Sequence, residues 1–134
     1  MKVYIDSDVI LDVLLGREKF ATESSQILNL SEKGLISGTT TLLAIANIYY
    51  ILRRYDNKKA IKSIKTLREI LQVMPLTDKE LLMALNSNFK DFEDSVQNSA
   101  TLSFGCVAII TRNIKDYSSS ELNIYSPKEF LLQL

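Results

Sequence analysis

Histidine is absent from this 134-residue chain, and no other gap in the composition removes as much chemistry. Without imidazole there is no Ser-His-Asp or Cys-His machinery, no imidazole general base and no histidine-rich zinc site. The one cysteine, Cys106, allows no internal disulfide and fits a reducing cytoplasm. It adjoins the apolar run Val107-Ala108-Ile109-Ile110, where a thiol reads as buried packing rather than as a nucleophile. Net charge is also missing, because 16 basic side chains balance 16 acidic ones. Bulk attraction to nucleic acid is therefore excluded, and any such binding needs a local patch. No apolar run is long enough to cross a membrane, since the longest, Leu42 to Leu52, is short and contains Asn47. Asp6, Asp8 and Asp12 break up what would have to be the apolar region of a signal peptide. No internal repeat, low-complexity tract or Gly/Ser linker divides the chain, so residues 1–134 are expected to form one domain. Whatever chemistry remains must use carboxylates, amides and hydroxyls.

What is present alternates short β-rich runs with helical patterns, the signature of βα units and a parallel sheet. The expected strands are Lys2–Ile5, Leu35–Ser37, Gln72–Leu76, Val107–Thr111 and Asn123–Tyr125. Hydrophobic content of 46% is ordinary for a globular protein and supplies a core. Thr22–Lys33 reads as a helix ended by Gly34. Thr40–Arg54 reads as a helix apolar nearly all round, hence central and buried. Asn57–Leu71 is amphipathic, with Ile61, Ile64, Leu67 and Leu71 on one stripe and Lys58, Lys62 and Lys65 opposite. Asp78–Leu85 and Asp91–Phe104 are further helices, and Ser126-Pro127 opens a last short one.

Acids and amides gather at particular points of this pattern. Asp6 falls where the first strand ends, with Asp8 two residues on and placed to cap the following helix. In open parallel sheets ligands bind at the carboxyl ends of the strands. Asp91 and Asp94, three apart, share one helix face with Asn98 and Thr101. The plain alternative there is an acidic first turn that satisfies the helix dipole, which suits Asp91 and Glu93 better than Asp94. After the strongest strand come Thr111, Arg112, Asn113, Lys115 and Asp116, of which Asn113 and Asp116 equally suit a turn. Asn47 is the strongly polar residue of its apolar helix, and a buried amide needs a partner because leaving it unpaired costs about 1–3 kcal/mol. Two carboxylates about 4 Å apart repel by roughly 4 kcal/mol at an effective dielectric of 20, so such acids assemble only with raised pKa values or a bound cation. Ligands that are all oxygen favour Mg²⁺ or Mn²⁺, and a metal held without histidine suits phosphodiester hydrolysis.

Together these residues resemble the PIN-domain nucleases, and within them the small VapC-type toxins of bacterial toxin–antitoxin pairs. The matching segments are Val3 to Asp12, Ala46 to Leu52, Asp91-Phe92-Glu93-Asp94-Ser95-Val96-Gln97, Ile109 to Tyr117 and Ser126 to Leu131, in the right order along the chain. The resemblance implies an α/β protein with a three-layer α/β/α fold around a five-stranded parallel sheet, and Mg²⁺- or Mn²⁺-dependent cleavage of RNA. It implies Asp6 and Asp94 as metal carboxylates, with Asn113 or Asp116 as the ligand after the fourth strand and Asp8 close by. Asn47 stands where such proteins usually carry glutamate, and Asn113 where they carry aspartate. These departures lower the expected metal affinity, with Asp91, Asp116 or Asp8 to compensate. Thr111, Arg112 and Lys115 are expected beside the substrate, Arg112 and Lys115 on phosphate. A cognate antitoxin and a second copy of the chain are the expected protein partners, with Tyr49, Tyr50 and Tyr55 offered either as that surface or as core.

Two other readings stand beside this one. A PIN-fold module with decayed activity would bind RNA or protein without cleaving. A phosphotransferase of the haloacid-dehalogenase type also has Asp-x-Asp after a first strand, but no Gly-Thr follows Asp8 here.

Overall fold

A computed structural model describes residues 1–134. In chain order the elements are β1 (Lys2–Ile5), α1 (Ser7–Leu14), α2 (Glu18–Glu32), β2 (Ser37–Thr41), α3 (Leu42–Leu52), α4 (Asn57–Ile70), β3 (Gln72–Met74), α5 (Asp78–Leu85), α6 (Phe92–Ser103), β4 (Ala108–Ile110), β5 (Asn123–Tyr125) and α7 (Pro127–Gln133). A 3₁₀ turn, Ile114–Tyr117, lies between β4 and β5. The five strands are all parallel, in the order β3-β2-β1-β4-β5. None of the helices is long and apolar enough to cross a membrane.

Val3, Tyr4 and Ile5 are completely buried because β1 is the middle strand, pairing Tyr4 with Thr39 on one side and with Ile109 on the other. Alternation along the strands then sorts the core into two layers. Val3, Ile5, Ala108 and Ile110 pack with residues of α1, α2, α3, α4 and Phe130 of α7. Tyr4 and Ile109 face the other way, against Ala100 of α6, Met74, Cys106 and Tyr117. Helices therefore cover both faces of the sheet, the three-layer α/β/α arrangement the resemblance implied. Cys106 is buried and free, as its apolar setting suggested.

Three sequence expectations need correction. The second strand runs over Ser37–Thr41, not Leu35–Ser37. Its Thr39, Thr40 and Thr41 are fully buried β-branched residues, and Leu35 belongs to the preceding turn and is exposed. The small residue Gly38 is what allows the strand to lie here. A Cβ on Gly38 would come within 2.5 Å of Ser31 Oγ and 2.8 Å of Leu71 Cδ2. The cap of α1 is Asp6, whose carboxylate accepts from the Ser7 N–H, rather than Asp8, which sits inside the first turn. Finally, α3 is not buried all round. Ala44, Ile48 and Leu52 face the core, whereas Leu42 and Tyr50 are more than half exposed. Tyr55, just beyond α3, is exposed too, and Tyr49 is half-buried.

Candidate active site

The strand order turns around between β1 and β4: the chain builds outward to β2 and β3, then returns to the other side of β1. That switch point opens a crevice at the carboxyl ends of β1 and β4. Asp6 leaves β1 there and Thr111 leaves β4, and the two strands hold them in register by the Asp6 N–H bond to the Ile110 carbonyl at 2.9 Å. The Thr111 hydroxyl donates to Asp6 Oδ2 at 2.8 Å, while the Ser7 N–H donates to Oδ1 at 2.8 Å. Both carboxylate oxygens of Asp6 are therefore oriented by neighbours on different elements.

Asp8 is oriented by the loop after β4. Its Oδ2 accepts from the Arg112 main-chain N–H at 3.1 Å and from Asn113 Nδ2 at 3.0 Å. Its other oxygen, Oδ1, is buried and has no hydrogen-bond partner. The Tyr117 hydroxyl, also buried, has none either. Only three buried side-chain oxygens in the chain lack a partner, and these two belong to the same end of the sheet. Such groups are costly unless something polar meets them.

The start of α6 brings the second group of acids. Asp91 caps the helix by accepting from the Asp94 N–H at 2.9 Å. Asn47 on α3 donates its amide to Glu93 Oε1 at 2.6 Å. The expected partner of Asn47 thus exists, although the amide is part-exposed rather than buried and its partner is an acid that sequence reasoning left to the helix dipole.

Electrostatics ties the two groups together. Asp6 is pushed up to about 6, first by burial and then by Asp8, with a further contribution from Glu93 and against the hydrogen bonds from Thr111 and Ser7. Asp94 is pushed up to about 7, first by burial and then by Asp91, Asp6, Asp116 and Glu93. Asp8 is raised as well, mainly by burial, with the Arg112 N–H and guanidinium pulling the other way. Tyr117 and Tyr4 are held far above the ordinary phenol value by burial and by these same carboxylates, so both remain protonated. No three acidic or cysteine side chains close into a ready-made metal cage, although Asp6 and Asp8 both reach the Thr111 hydroxyl, at 2.8 Å and 3.4 Å.

Several of the expected residues make contacts that the sequence did not specify. Arg112 was expected on phosphate, yet its Nε donates to Asp12 Oδ2 at 2.7 Å and its guanidinium stacks 3.9 Å from the centre of the Phe20 ring. Asp12 is wholly buried and also meets Arg17 at 3.2 Å and the Ser24 hydroxyl at 3.4 Å. Lys115 and Asp116 are exposed on the 3₁₀ turn, and Asn113 is exposed but engaged with Asp8. Asn98 and Thr101 are buried: Asn98 Oδ1 accepts from the Ser120 hydroxyl at 2.6 Å, the Thr101 hydroxyl donates to the Asn98 carbonyl at 2.5 Å, and Asn98 lines a polar cavity with Asn86, Ser87 and Ser119 rather than the carboxylate site. Glu93, Tyr117 and Asp12 were missed. The only signal for Glu93 was its place beside Asp94, and a helix face alone does not say which neighbour it meets.

Comparison with known proteins fits this geometry. The PIN domain family model matches residues 2–115. Ribonuclease VapC1 of Aquifex aeolicus (strain VF5) is 31% identical over 137 residues, covering 96% of this chain and 92% of that protein. Among solved structures, VapBC2 from Rickettsia felis bound to a DNA fragment from its promoter superposes with a TM-score of 0.74 at 12% identity, covering 94% of this chain and 98% of that one. Mycobacterium tuberculosis VapC20, a Sarcin-Ricin loop cleaving toxin, gives 0.63 at 10% identity, covering 80% of this chain and 86% of that one. At such identities the structural likeness speaks for the fold alone. The family match over most of the chain, together with the full-length relative, carries the assignment: this chain belongs to the PIN domain family.

Proposed function

We propose that this chain is a divalent-metal-dependent endoribonuclease, the toxin of a toxin–antitoxin pair, acting as one PIN-like domain over residues 1–134 in the cytoplasm. The observation that supports this most is the pair Asp6 and Asp94, both held well above the carboxylate range by burial and by neighbouring carboxylates at the switch point of the sheet. A divalent cation among them would relieve that repulsion. The donor set fits such an ion, being all oxygen, with Asp8 Oδ1 left unpartnered beside it. Asp6 and Asp94 would hold the cation, with Asp116, Asp91 and Asp8 adding negative charge, and Mg²⁺ or Mn²⁺ matches that hardness. Bound there, the ion lowers the pKa of a coordinated water and offsets charge on the phosphodiester.

The other roles belong to the chain's own residues. Thr111 orients Asp6, while the Arg112 N–H and Asn113 orient Asp8. Glu93 brings a carboxylate to the position that Asn47 leaves neutral, so the missing charge of α3 is supplied from α6. Lys115, exposed on the turn after β4, would meet phosphate. RNA as substrate is supported by the Aquifex aeolicus relative, a ribonuclease, and an antitoxin partner by the VapBC2 complex. The exposed Leu42 and Tyr50 on α3 suit an antitoxin or a second copy.

Cleavage of RNA oligonucleotides with and without Mn²⁺ or Mg²⁺ tests the proposal. Cutting should require metal and vanish in Asp94→Asn, while the circular dichroism spectrum is retained. RNA binding without any metal-dependent cutting would instead support a PIN-fold binding module, the outcome that the amides Asn47 and Asn113 favour.

A further inference from the structure

Beside the carboxylate site lies a cleft of about 390 Å³ between the start of α2 and the start of α7. It is lined by Lys19, Phe20 and Glu23 of α2, Lys128 of α7, and Arg112. We propose that this cleft is a nucleotide subsite for the RNA strand next to the scissile phosphate, with Lys19 and Lys128 meeting phosphate and the Phe20–Arg112 pair offering a flat surface to a base. The proposal rests on the endoribonuclease reading and adds where the strand runs.

Four observations carry it. First, the cleft and the carboxylate site share a residue: the Arg112 main-chain N–H holds Asp8 while its side chain faces the cleft. A nucleotide in the cleft and a group held beside Asp8 would therefore both border Arg112. Second, the charge is unneutralised. Both salt bridges in the chain fall on Asp12, so Lys19 and Lys128 have no carboxylate within ion-pair distance, although Glu23 lines the same cleft. On a chain of zero net charge, this is where a local cationic patch lies against the site. Third, the Arg112 guanidinium lies over the Phe20 ring at 3.9 Å from its centre, with the Lys19 ammonium at 5.6 Å, and the ionic bond to Asp12 fixes the guanidinium there. Aromatic rings and guanidinium planes are the surfaces on which unstacked RNA bases rest. Fourth, the volume falls in the range of small-molecule sites, which suits one nucleotide rather than a duplex.

Binding of a fluorescent single-stranded oligouridine, with EDTA present so that nothing is cut, tests this independently of catalysis. Lys19→Ala/Lys128→Ala should weaken binding about tenfold and flatten the salt dependence by about 0.7 for each phosphate no longer neutralised. Phe20→Leu should weaken binding about tenfold with the salt slope kept, because stacking is removed and charge is not. Lys62→Ala/Lys65→Ala on α4, away from the cleft, should leave both quantities at the wild-type value. Wild-type affinity and slope in both cleft variants overturn the subsite, as does failure of the wild type to bind the oligomer. Normal binding that drops in the cleft variants, with no metal-dependent cutting by the wild type, would overturn the nuclease reading and leave the subsite standing.

Discussion

Asn47 on α3 and Glu93 on α6 are joined by a 2.6 Å amide–carboxylate bond, so the neutral residue of one helix holds the acid of another beside Asp94. Glu93 contributes to the raised pKa values of both Asp6 and Asp94, which marks it as part of the same charged group.

If Glu93 supplies the charge that Asn47 lacks, Glu93→Gln should weaken Mn²⁺ binding by about tenfold, the effect usual for a group that orients or charges a metal site. Asn47→Glu should do the reverse and tighten Mn²⁺. It should also lower the melting temperature of the metal-free protein, since the new carboxylate faces Glu93 at hydrogen-bond distance. Isothermal titration of both variants decides it, and unchanged affinity in Glu93→Gln would show that Glu93 does not face the metal.

The metal-free protein should lose stability as pH rises from about 4 to about 7. An unfolded aspartate titrates near 3.9, whereas folded Asp6 and Asp94 titrate at about 6 and about 7. Between those values the folded state binds more protons than the unfolded one, so each step up in pH favours unfolding. The loss continues through the Asp94 value of about 7 and levels off roughly one pH unit above it. Asp94→Asn should flatten part of this slope and raise the melting temperature of the metal-free protein at pH 8. Millimolar Mn²⁺ should restore stability to the wild type, by about 2.7 kcal/mol at a concentration one hundred times Kd, and less to the variant. Denaturant curves across pH, with EDTA or Mn²⁺, read all three effects.

Asp12 is wholly buried between two arginines of unequal weight. Arg112 bonds it at 2.7 Å and is largely sheltered, while Arg17 bonds it at 3.2 Å and is more exposed. Arg112→Ala should therefore cost about 2–4 kcal/mol, and Arg17→Ala about 1 kcal/mol or less. Arg112→Ala should also reduce metal-dependent cleavage, because the loop that orients Asp8 loses its anchor. Urea denaturation ranks the two, and equal losses would show that Asp12 is balanced by both arginines alike.

Gly38→Ala should destabilise the fold by about 1–3 kcal/mol, the cost of overpacking a filled site. The added Cβ meets Ser31 Oγ, which accepts from the Gly38 N–H and donates to the Ile70 carbonyl at 2.8 Å. Because Gly38 pairs with Val3, three residues before Asp6 and away from the carboxyl edge of the sheet, metal affinity per folded molecule should not change. A melting temperature equal to wild type would mean that Ser31 and Leu71 yield without loss.

Local patterning was enough to set the type and order of the elements and to put Asp6, Asp8 and the Thr111–Asp116 segment at strand ends. A buried parallel strand is a continuous apolar run, and a polar residue after it marks its end. The same patterning put β2 too early, at Leu35–Ser37, and gave Thr40 and Thr41 to the next helix, because Gly38 breaks the apolar run and its fit against Leu71 and Ser31 is a matter of packing. Nor did it say that Arg112 turns to Asp12, that Asn47 reaches Glu93, or that α3 leaves Leu42 and Tyr50 in solvent. Each of these depends on which side chain of one element meets which of another. Helical and strand periodicity give a residue its face, and only the packing of the layers decides what that face meets.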